Sequence, residues 1–170
     1  MINFVYRTIQ LDELSSGHTQ VLAYWNLLKG EKFAPSWAEF DMMKIPFHLL
    51  PSTNIVDIID GGRDYLFRFY GTRLCEIHGE ELTGKFISDL QPQSIADAIR
   101  GSYELSLEKR IPMAQRTDTG ASTLVKFQVS LRLPLSDDGE TISHLVSIVE
   151  YDQDTRELRD RINAAIEQQA

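Results

Sequence analysis

The sequence lacks the features that mark secreted and membrane-spanning proteins. Its one cysteine, Cys75, has no second cysteine with which to form an internal disulfide, so nothing points to an oxidising compartment. No apolar run approaches the roughly 20 residues that a membrane-spanning helix needs. Residues 1–16 lack the basic start and the long apolar core of a signal peptide. We therefore expect a cytoplasmic protein.

Basic residues and catalytic motifs are also scarce. The 17 Lys and Arg residues are outnumbered by 25 Asp and Glu residues, and the resulting net charge of −8 argues against binding to nucleic acid or to an anionic membrane. The chain contains no GxSxG nucleophile elbow, no Walker loop and no dinucleotide-binding glycine fingerprint. The four histidines do not have the spacing of metal ligands, so no metal site is predicted.

The N-terminal part of the chain predicts an extended arm over residues 2–11, a helix ending near Gly30, and an irregular but apolar connector over residues 31–53 that packs on the body. The helix carries an apolar stripe: Val21, Leu22, Trp25 and Leu28. Two interpretations stay open. The helix docks on the sheet of its own chain, or it also pairs with a second subunit and these four residues form a dimer interface.

The rest of the chain alternates between strand and helix patterns. Residues 54–60 are rich in β-branched side chains and residues 63–70 in aromatic ones, and Gly61 and Gly62 between them predict a tight hairpin. A longer helix is predicted to follow Pro92, and three strands are predicted after it. The strands cover residues 113–117, 124–133 and 142–151. Because hairpins dominate and no βαβ repeat occurs, the predicted class is α+β.

Residues 65–90 consist of an aromatic strand followed by short helical pieces that glycines separate. This segment resembles the strand-to-helix region of PAS domains, and the chain is most similar to a stand-alone bacterial PAS family long catalogued as a domain of unknown function. The residues that carry the resemblance are Tyr24, Trp25, Leu28, Gly30, Pro35, Asp41, Ile45, Pro46, Leu50, Pro51, Arg68, Gly71, Thr72, Arg73, Gly79, Leu82, Thr83 and Gly84.

The resemblance implies a five-stranded antiparallel sheet with helices on one face, plus flanking N- and C-terminal helices. It divides the chain into an N-terminal arm, helix and connector (1–53), a PAS-like core (54–151) and a C-terminal amphipathic helix (152–170). That last helix is interpreted either as a surface cap or as a signalling or dimer helix. The implied function is a non-enzymatic sensor or interaction module of bacterial signalling, which binds a small molecule, a partner protein or both, and forms a homodimer.

Polar residues at the end of the aromatic strand are the candidate ligand-binding site. Arg68, Thr72 and Arg73 lie where a PAS pocket opens, next to Phe67 and Phe69. Two interpretations of Arg68 stay open. It recognises a carboxylate-bearing ligand, or it forms a salt bridge with an acidic residue such as Asp57 on the partner strand.

Neither of two common PAS cofactors matches the sequence. Flavin-binding PAS domains carry their reactive cysteine in an Asn-Cys-Arg-Phe-Leu-Gln helix, whereas Cys75 lies elsewhere in residues 73–78 without those partners. Haem-binding PAS domains use a histidine in or near the longer helix, and residues 95–107 contain none. The cofactor is therefore unassigned, and we expect neither a visible chromophore nor a bound transition metal.

Two other functions remain as alternatives. One is a small cone-shaped isomerase or dehydratase, which needs an acid or base with a shifted pKa in an apolar cavity. Asp57, His48 and Asp89 are the conceivable groups for that role. The other is a structural dimerisation domain whose pocket is filled by side chains.

Overall fold

A six-stranded antiparallel sheet forms the centre of the protein, with strands in the order β1-β4-β5-β6-β2-β3. The computed structural model describes residues 5–118 and 127–151, together with residues 164, 167 and 168. The strands are β1 (Val5–Ile9), β2 (Thr53–Ile59), β3 (Asp64–Tyr70), β4 (Met113–Asp118), β5 (Gln128–Leu135) and β6 (His144–Tyr151). The helices are α1 (Ser16–Lys29), α2 (Thr72–His78) and α3 (Gln93–Lys109). One-turn 3-10 helices cover Leu11–Glu13, Met42–Lys44, Leu50–Ser52, Asp60–Gly62 and Ile87–Asp89.

The α+β class and the antiparallel sheet are confirmed, with one strand more than the expected five. The additional strand is β1, which is the predicted extended arm. It pairs antiparallel with β4, with Tyr6 opposite Thr117 and Thr8 opposite Gln115. This pairing covers the edge that β4 would otherwise present to solvent.

The β2–β3 hairpin is confirmed, but its turn is longer than the predicted two-residue turn. The chain reverses through the 3-10 helix Asp60–Gly62, where Gly61 and Gly62 have φ angles of 67° and 103°. Gly62 lies well outside the backbone region that other residues adopt without strain, which explains a glycine at this position.

A β-bulge in the same hairpin interrupts the alternation of its side chains between the two faces of the sheet. Val56 lies opposite Phe67 and Ile55 lies opposite Phe69, so Arg68 is an extra residue between the two pairs. Phe67 and Phe69 consequently pack into different hydrophobic clusters on opposite sides of the sheet. A bulge reverses the facing of every residue beyond it, and nothing in the local pattern marks its position.

Helices cover both faces of the sheet. On one side, called the α3 face, the core contains Val56, Tyr65, Phe67, Leu74, Tyr103, Leu145 and Val149, which come from the sheet, α2 and α3. On the other side, called the α1 face, the core contains Val21, Trp25, Phe40, Ile45, Leu49, Ile55, Leu131, Leu133, Leu135, Val146 and Ile148. The helices α2 and α3 share one face, as the resemblance implies, and α1 covers the other.

Helix α1 docks on the sheet of its own chain. Val21 and Trp25 are 0% and 1% exposed, and the Trp25 Nε1 donates a hydrogen bond of 2.8 Å to the carbonyl oxygen of Pro134. Leu22 and Leu28 are half-buried against the same cluster. Val21 and Trp25 are therefore not free to contact another chain, whereas Leu27 of the same helix is exposed. The dimer interface of Val21, Leu22, Trp25 and Leu28 stays a prediction.

The connector between α1 and β2 packs on the α1 face. Its buried side chains are Phe40, Ile45 and Leu49. It also reaches β3 and α2, because the backbone of Pro51 lies directly against Gly71. By contrast, the side chains of Met43 and Phe47 are exposed.

Several predictions of secondary structure concern residues that the structure does not describe. The predicted C-terminal helix over residues 152–170 lies outside the described residues except at positions 164, 167 and 168. Residues 119–126, which include the first part of the predicted strand 124–133, lie outside them too. In the described part of the chain, none of the helices has the length and apolar character required to cross a membrane.

Candidate functional site

A buried polar patch lies on the α3 face of the sheet, where a hydrophobic core would be expected. Asn54, Ser147 and Arg132 lie side by side on β2, β6 and β5. Gln115 and Ser130 form a neighbouring pair on β4 and β5. All five side chains are buried, so the patch is a polar surface enclosed within the protein.

Strand alternation places these polar groups under α3. In β5, Leu131 and Leu133 pack on the α1 face, and Ser130 and Arg132 therefore point to the α3 face. In β6, Ser147 likewise lies between two residues that pack on the α1 face. Both faces of the sheet are covered, so the polar side of this alternation is buried instead of solvated.

Arg132 is the charged centre of the patch and is 8% exposed. Its Nη1 donates a hydrogen bond to the Gln115 Oε1, and its guanidinium carbon lies 5.2 Å from the centre of the Tyr103 ring. Its Nε has no hydrogen-bond partner within the described residues, and none of their carboxylates forms an ion pair with it. Burial lowers the pKa of Arg132, and the phenol groups of Tyr103 and Tyr6 oppose that effect.

Helix α3 covers the patch with one large aromatic residue and two small ones. The Tyr103 hydroxyl donates a hydrogen bond of 3.1 Å to the Asn54 Oδ1. Ser102 and Ser106 are buried, but each donates its hydroxyl proton to a carbonyl oxygen of α3 itself, that of Ile99 and that of Ser102 respectively. These serines therefore leave the polar groups of the sheet unsatisfied.

Further hydroxyl groups on this side of the sheet also lack partners. The Oγ of Ser147 and the phenol oxygens of Tyr65 and Tyr151 are buried without a hydrogen bond among the described residues. Ser147 lies close enough to Tyr103 to oppose the rise in the Tyr103 pKa that burial causes, although the two hydroxyls do not have hydrogen-bond geometry. Burial likewise raises the pKa of Tyr151, and nearby Arg73 opposes it.

The structure does not bring the sequence-predicted ligand residues together. Phe67 belongs to the core of the α3 face, whereas Phe69 packs on the α1 face. Thr72 is exposed at the start of α2, and Arg73 is half-buried one residue later. The bulge at Arg68 causes this division, and the role of these residues in ligand binding stays a prediction.

Arg68 itself forms a salt bridge with Asp57, which was one of its two interpretations. Its Nε and Nη2 donate hydrogen bonds of 2.7 and 2.9 Å to the two Asp57 carboxylate oxygens. The guanidinium also lies 5.5 Å from the centre of the Trp37 ring. The polar edge of this guanidinium that would bind a carboxylate ligand is therefore already occupied by a carboxylate of the protein.

The three conceivable acid–base groups are also separate from one another. Asp57 pairs with Arg68, His48 is exposed on the connector, and Asp89 accepts a hydrogen bond of 3.2 Å from the backbone of Phe86. Over the described ranges, the structure contains no group of three His, Cys, Asp or Glu side chains placed to hold a metal ion. Cys75 is half-buried, and burial followed by the Glu81 carboxylate raises the pKa of its thiol.

Sequence reasoning missed Arg132, and the reason is physical. In the sequence it is one polar member of a regular alternation, which is typical of a strand with one solvated face. Its burial depends on α3, which is distant in sequence and closes over that face. The expected arrangement placed helices on one face of the sheet, so no signal in the sequence marked the polar side of this strand as buried.

Comparison with known proteins gives a family match. A family model described as a PAS domain matches residues 14–149. A search of the curated proteins found no match. Among solved structures, an RNA-binding light-oxygen-voltage receptor superposes with a TM-score of 0.45 at 9% sequence identity, over 99% of this chain and 43% of that one. This chain thus spans less than half the length of that receptor.

Proposed function

This chain belongs to the PAS domain family, and we propose on that basis that it is a non-enzymatic sensor of bacterial signalling, which binds a small molecule on the α3 face of its sheet. The family model covers residues 14–149, which contain α1, α2, α3 and the strands β2 to β5 in full. PAS domains are in general sensory modules, and the described residues show no cluster of acid–base groups that would favour an enzyme.

The observation that carries this proposal is the unsatisfied polar surface beneath α3. Buried polar groups in folded proteins are nearly always hydrogen-bonded, and leaving one unpaired costs about 1–3 kcal/mol. The Nε of Arg132 and the Oγ of Ser147 lie on neighbouring strands and both lack partners within the described residues. A small molecule bound here would form hydrogen bonds with these two unpaired groups, and those bonds would contribute to its affinity.

Native mass spectrometry of the purified protein tests the proposal, with a matched pair of variants on β6. Ser147→Leu places a larger side chain in the patch, whereas Val146→Leu adds volume at the next residue on the α1 face. We expect a small molecule to bind to the wild type and to Val146→Leu, and to be lost from Ser147→Leu. Equal occupancy in the two variants would contradict this location, and a wild type that takes up nothing from a small-molecule extract of bacterial cells would contradict the function.

We also propose that the protein forms a homodimer and transmits its signal to a separate protein. Supporting this, α1 keeps one large apolar side chain in solvent, Leu27, which is 79% exposed, and twofold dimers are the commonest oligomers. Sedimentation velocity should show a dimer of the wild type at micromolar concentration. Leu27→Glu should dissociate it without changing the circular dichroism spectrum. A wild-type monomer would contradict the dimer.

A further inference from the structure

Arg132 carries a buried positive charge for which the described residues provide no counter-charge. The residue is 8% exposed, and no carboxylate in the described ranges pairs with it. Taking an isolated charge out of water is costly, and for that reason buried arginines are nearly always paired with an acidic group. The other ion-paired arginines of the described residues, Arg68, Arg100 and Arg116, pair with carboxylates that are partly exposed to solvent.

The groups that do contact Arg132 are neutral and cover only part of the guanidinium. Gln115 accepts a hydrogen bond from Nη1, and the Tyr103 ring lies against the face. Neither reaches the edge that carries Nε. That edge is therefore the place where an anion would both satisfy a donor and neutralise the charge.

The N–H donors of a guanidinium edge match the oxygen acceptors of a carboxylate. A guanidinium binds a carboxylate through parallel N–H groups in one plane, and such charge-assisted pairs are about twice as strong as neutral hydrogen bonds. Ser147 lies directly opposite Arg132 on β6, and side chains opposite each other in a sheet have Cβ atoms about 4.5–5.5 Å apart. Its unpartnered hydroxyl can thus donate a further hydrogen bond to the same anion.

We propose that the small molecule sensed by this protein is a carboxylic acid, whose carboxylate binds the Nε edge of Arg132 and the hydroxyl of Ser147. Large apolar side chains border the patch, because Met113, Leu145 and Val149 are buried beside it on the α3 face. The body of the acid is therefore apolar or aromatic. This inference rests on the proposed function and narrows its ligand to one chemical class.

Thermal unfolding with defined probes tests the inference. The probes are butyrate, hexanoate, benzoate and phenylacetate at constant ionic strength, each compared with its carboxamide, and inorganic phosphate. The variant Arg132→Met removes the charge but keeps an unbranched side chain. Arg116→Met is the matched control, since Arg116 lies on the neighbouring strand β4, faces the other side of the sheet and pairs with Asp118.

We expect at least one carboxylate to raise the melting temperature of the wild type and of Arg116→Met, with its carboxamide having little effect. By calorimetry, Arg132→Met should weaken binding of that carboxylate roughly 10- to 100-fold, as expected for the loss of hydrogen bonds to a charged group. Arg132→Lys retains the charge without the planar pair of donors and should bind with intermediate affinity, so it replaces Arg132→Met if that variant does not fold.

Three outcomes of the thermal unfolding experiment would overturn the inference. They are no stabilisation of the wild type by any carboxylate, equal stabilisation by acid and amide, and stabilisation by phosphate alone. A bound molecule without an acidic group, found by native mass spectrometry, would also overturn it but leave the proposed sensor function standing. If Ser147→Leu and Val146→Leu retain a ligand equally, the location on the α3 face fails, and this inference fails with it.

Discussion

The guanidinium of Arg68 and the carboxylate of Asp57 form an ion pair with two hydrogen bonds, of 2.7 and 2.9 Å, across the β2–β3 hairpin. His144 on β6 brings its Nε2 to 3.3 Å from the same carboxylate. The Trp37 ring stacks on His144, with ring centres 5.5 Å apart, and contacts Arg68 as well. The ion pair thus connects Trp37 of the connector with three neighbouring strands of the sheet, β3, β2 and β6.

Removing the charge of Arg68 should raise the pKa of His144. Burial lowers that pKa, Asp137 and Asp57 oppose the effect, and the Arg68 charge adds to it. We expect Arg68→Met to shift the histidine titration, followed by NMR, to higher pH. Arg63→Met, at the exposed tip of the same hairpin, should leave it unchanged. A titration at unchanged or lower pH in Arg68→Met would contradict this electrostatic coupling.

The same substitution should have a small effect on stability. The Arg68 side chain is 42% exposed, so solvent screens the ion pair. Exposed pairs contribute about 0–1 kcal/mol. Urea unfolding of Arg68→Met should therefore show a loss no larger than about 1 kcal/mol, and a loss of several times that value would show that the pair supports the hairpin by other means.

His18 should make the protein less stable as the pH falls below neutrality. Its ring is buried and its Nε2 lies 3.0 Å from the carbonyl oxygen of Ile148. Burial lowers the pKa of His18 below 6.5, although Glu150 and the Ile148 carbonyl oppose this. The unfolded chain therefore binds a proton at a higher pH than the folded chain does. The free energy of unfolding should then fall as the pH drops from about 6.5 towards the folded pKa.

The variant His18→Gln isolates this contribution, because the glutamine amide can still donate to the Ile148 carbonyl without titrating. Urea unfolding at a series of pH values should show a shallower pH dependence in His18→Gln than in the wild type. The slope that remains is assigned to His78 and His144, whose pKa values are also lowered by burial. Identical slopes for the two proteins would contradict a titrating buried His18.

Truncation of a side chain should cost much more stability on the buried face of α1 than on its exposed face. Trp25→Ala removes a fully buried aromatic side chain and its hydrogen bond to Pro134, and such changes cost about 3–5 kcal/mol. Leu27→Ala, on the exposed side of the same helix, should change stability by no more than about 0.5 kcal/mol. Urea unfolding measures both. A small effect of Trp25→Ala would mean that α1 does not belong to the core.

Gly71 should not tolerate even alanine, although its φ angle of −65° is ordinary. A Cβ at this position would lie 2.2 Å from the backbone oxygen of Pro51, so the connector would have to move. We expect Gly71→Ala to cost about 1–3 kcal/mol or more. The control is Gly101→Ala in α3, where no atom lies within 4 Å of the new Cβ and the helix should gain about 0.5–1 kcal/mol. Equal effects would contradict the close approach at Pro51.

The purified protein should show neither a flavin absorption band nor a Soret band, and elemental analysis should find no stoichiometric transition metal. The reason lies in the sequence, where Cys75 lacks the flavin-type neighbours and the longer helix lacks a histidine. A visible spectrum from the protein as isolated is the direct measurement, and either band would refute the expectation.

Much of the fold was predictable because the deciding interactions are local. The β-branched run before Gly61, the aromatic run after Gly62 and the clean alternation near Leu131 each specify a strand from neighbouring residues alone. The helix following Pro92 and the apolar stripe of α1 were predictable for the same reason. These patterns were enough for the class and for the antiparallel arrangement of the sheet.

The candidate site was not predictable, because it depends on contacts between distant parts of the chain. The bulge at Arg68 arises from the register of two strands, and it separated Phe67 from Phe69. Arg68 was the residue singled out in the sequence, yet it pairs with Asp57 on the α1 face. The buried arginine is Arg132, which has no unusual neighbours in sequence.

The sequence by itself determined which segments form strands and helices, since side-chain periodicity and backbone preference act over a few residues. Only the tertiary structure decided which polar side would meet solvent. The polar side of β5 became an interior surface because α3 closes over it and α1 already covers the reverse face. Burial depends on how the helices pack on the sheet. The charge of Arg132 would be solvated on an uncovered strand, but beneath α3 it needs a partner.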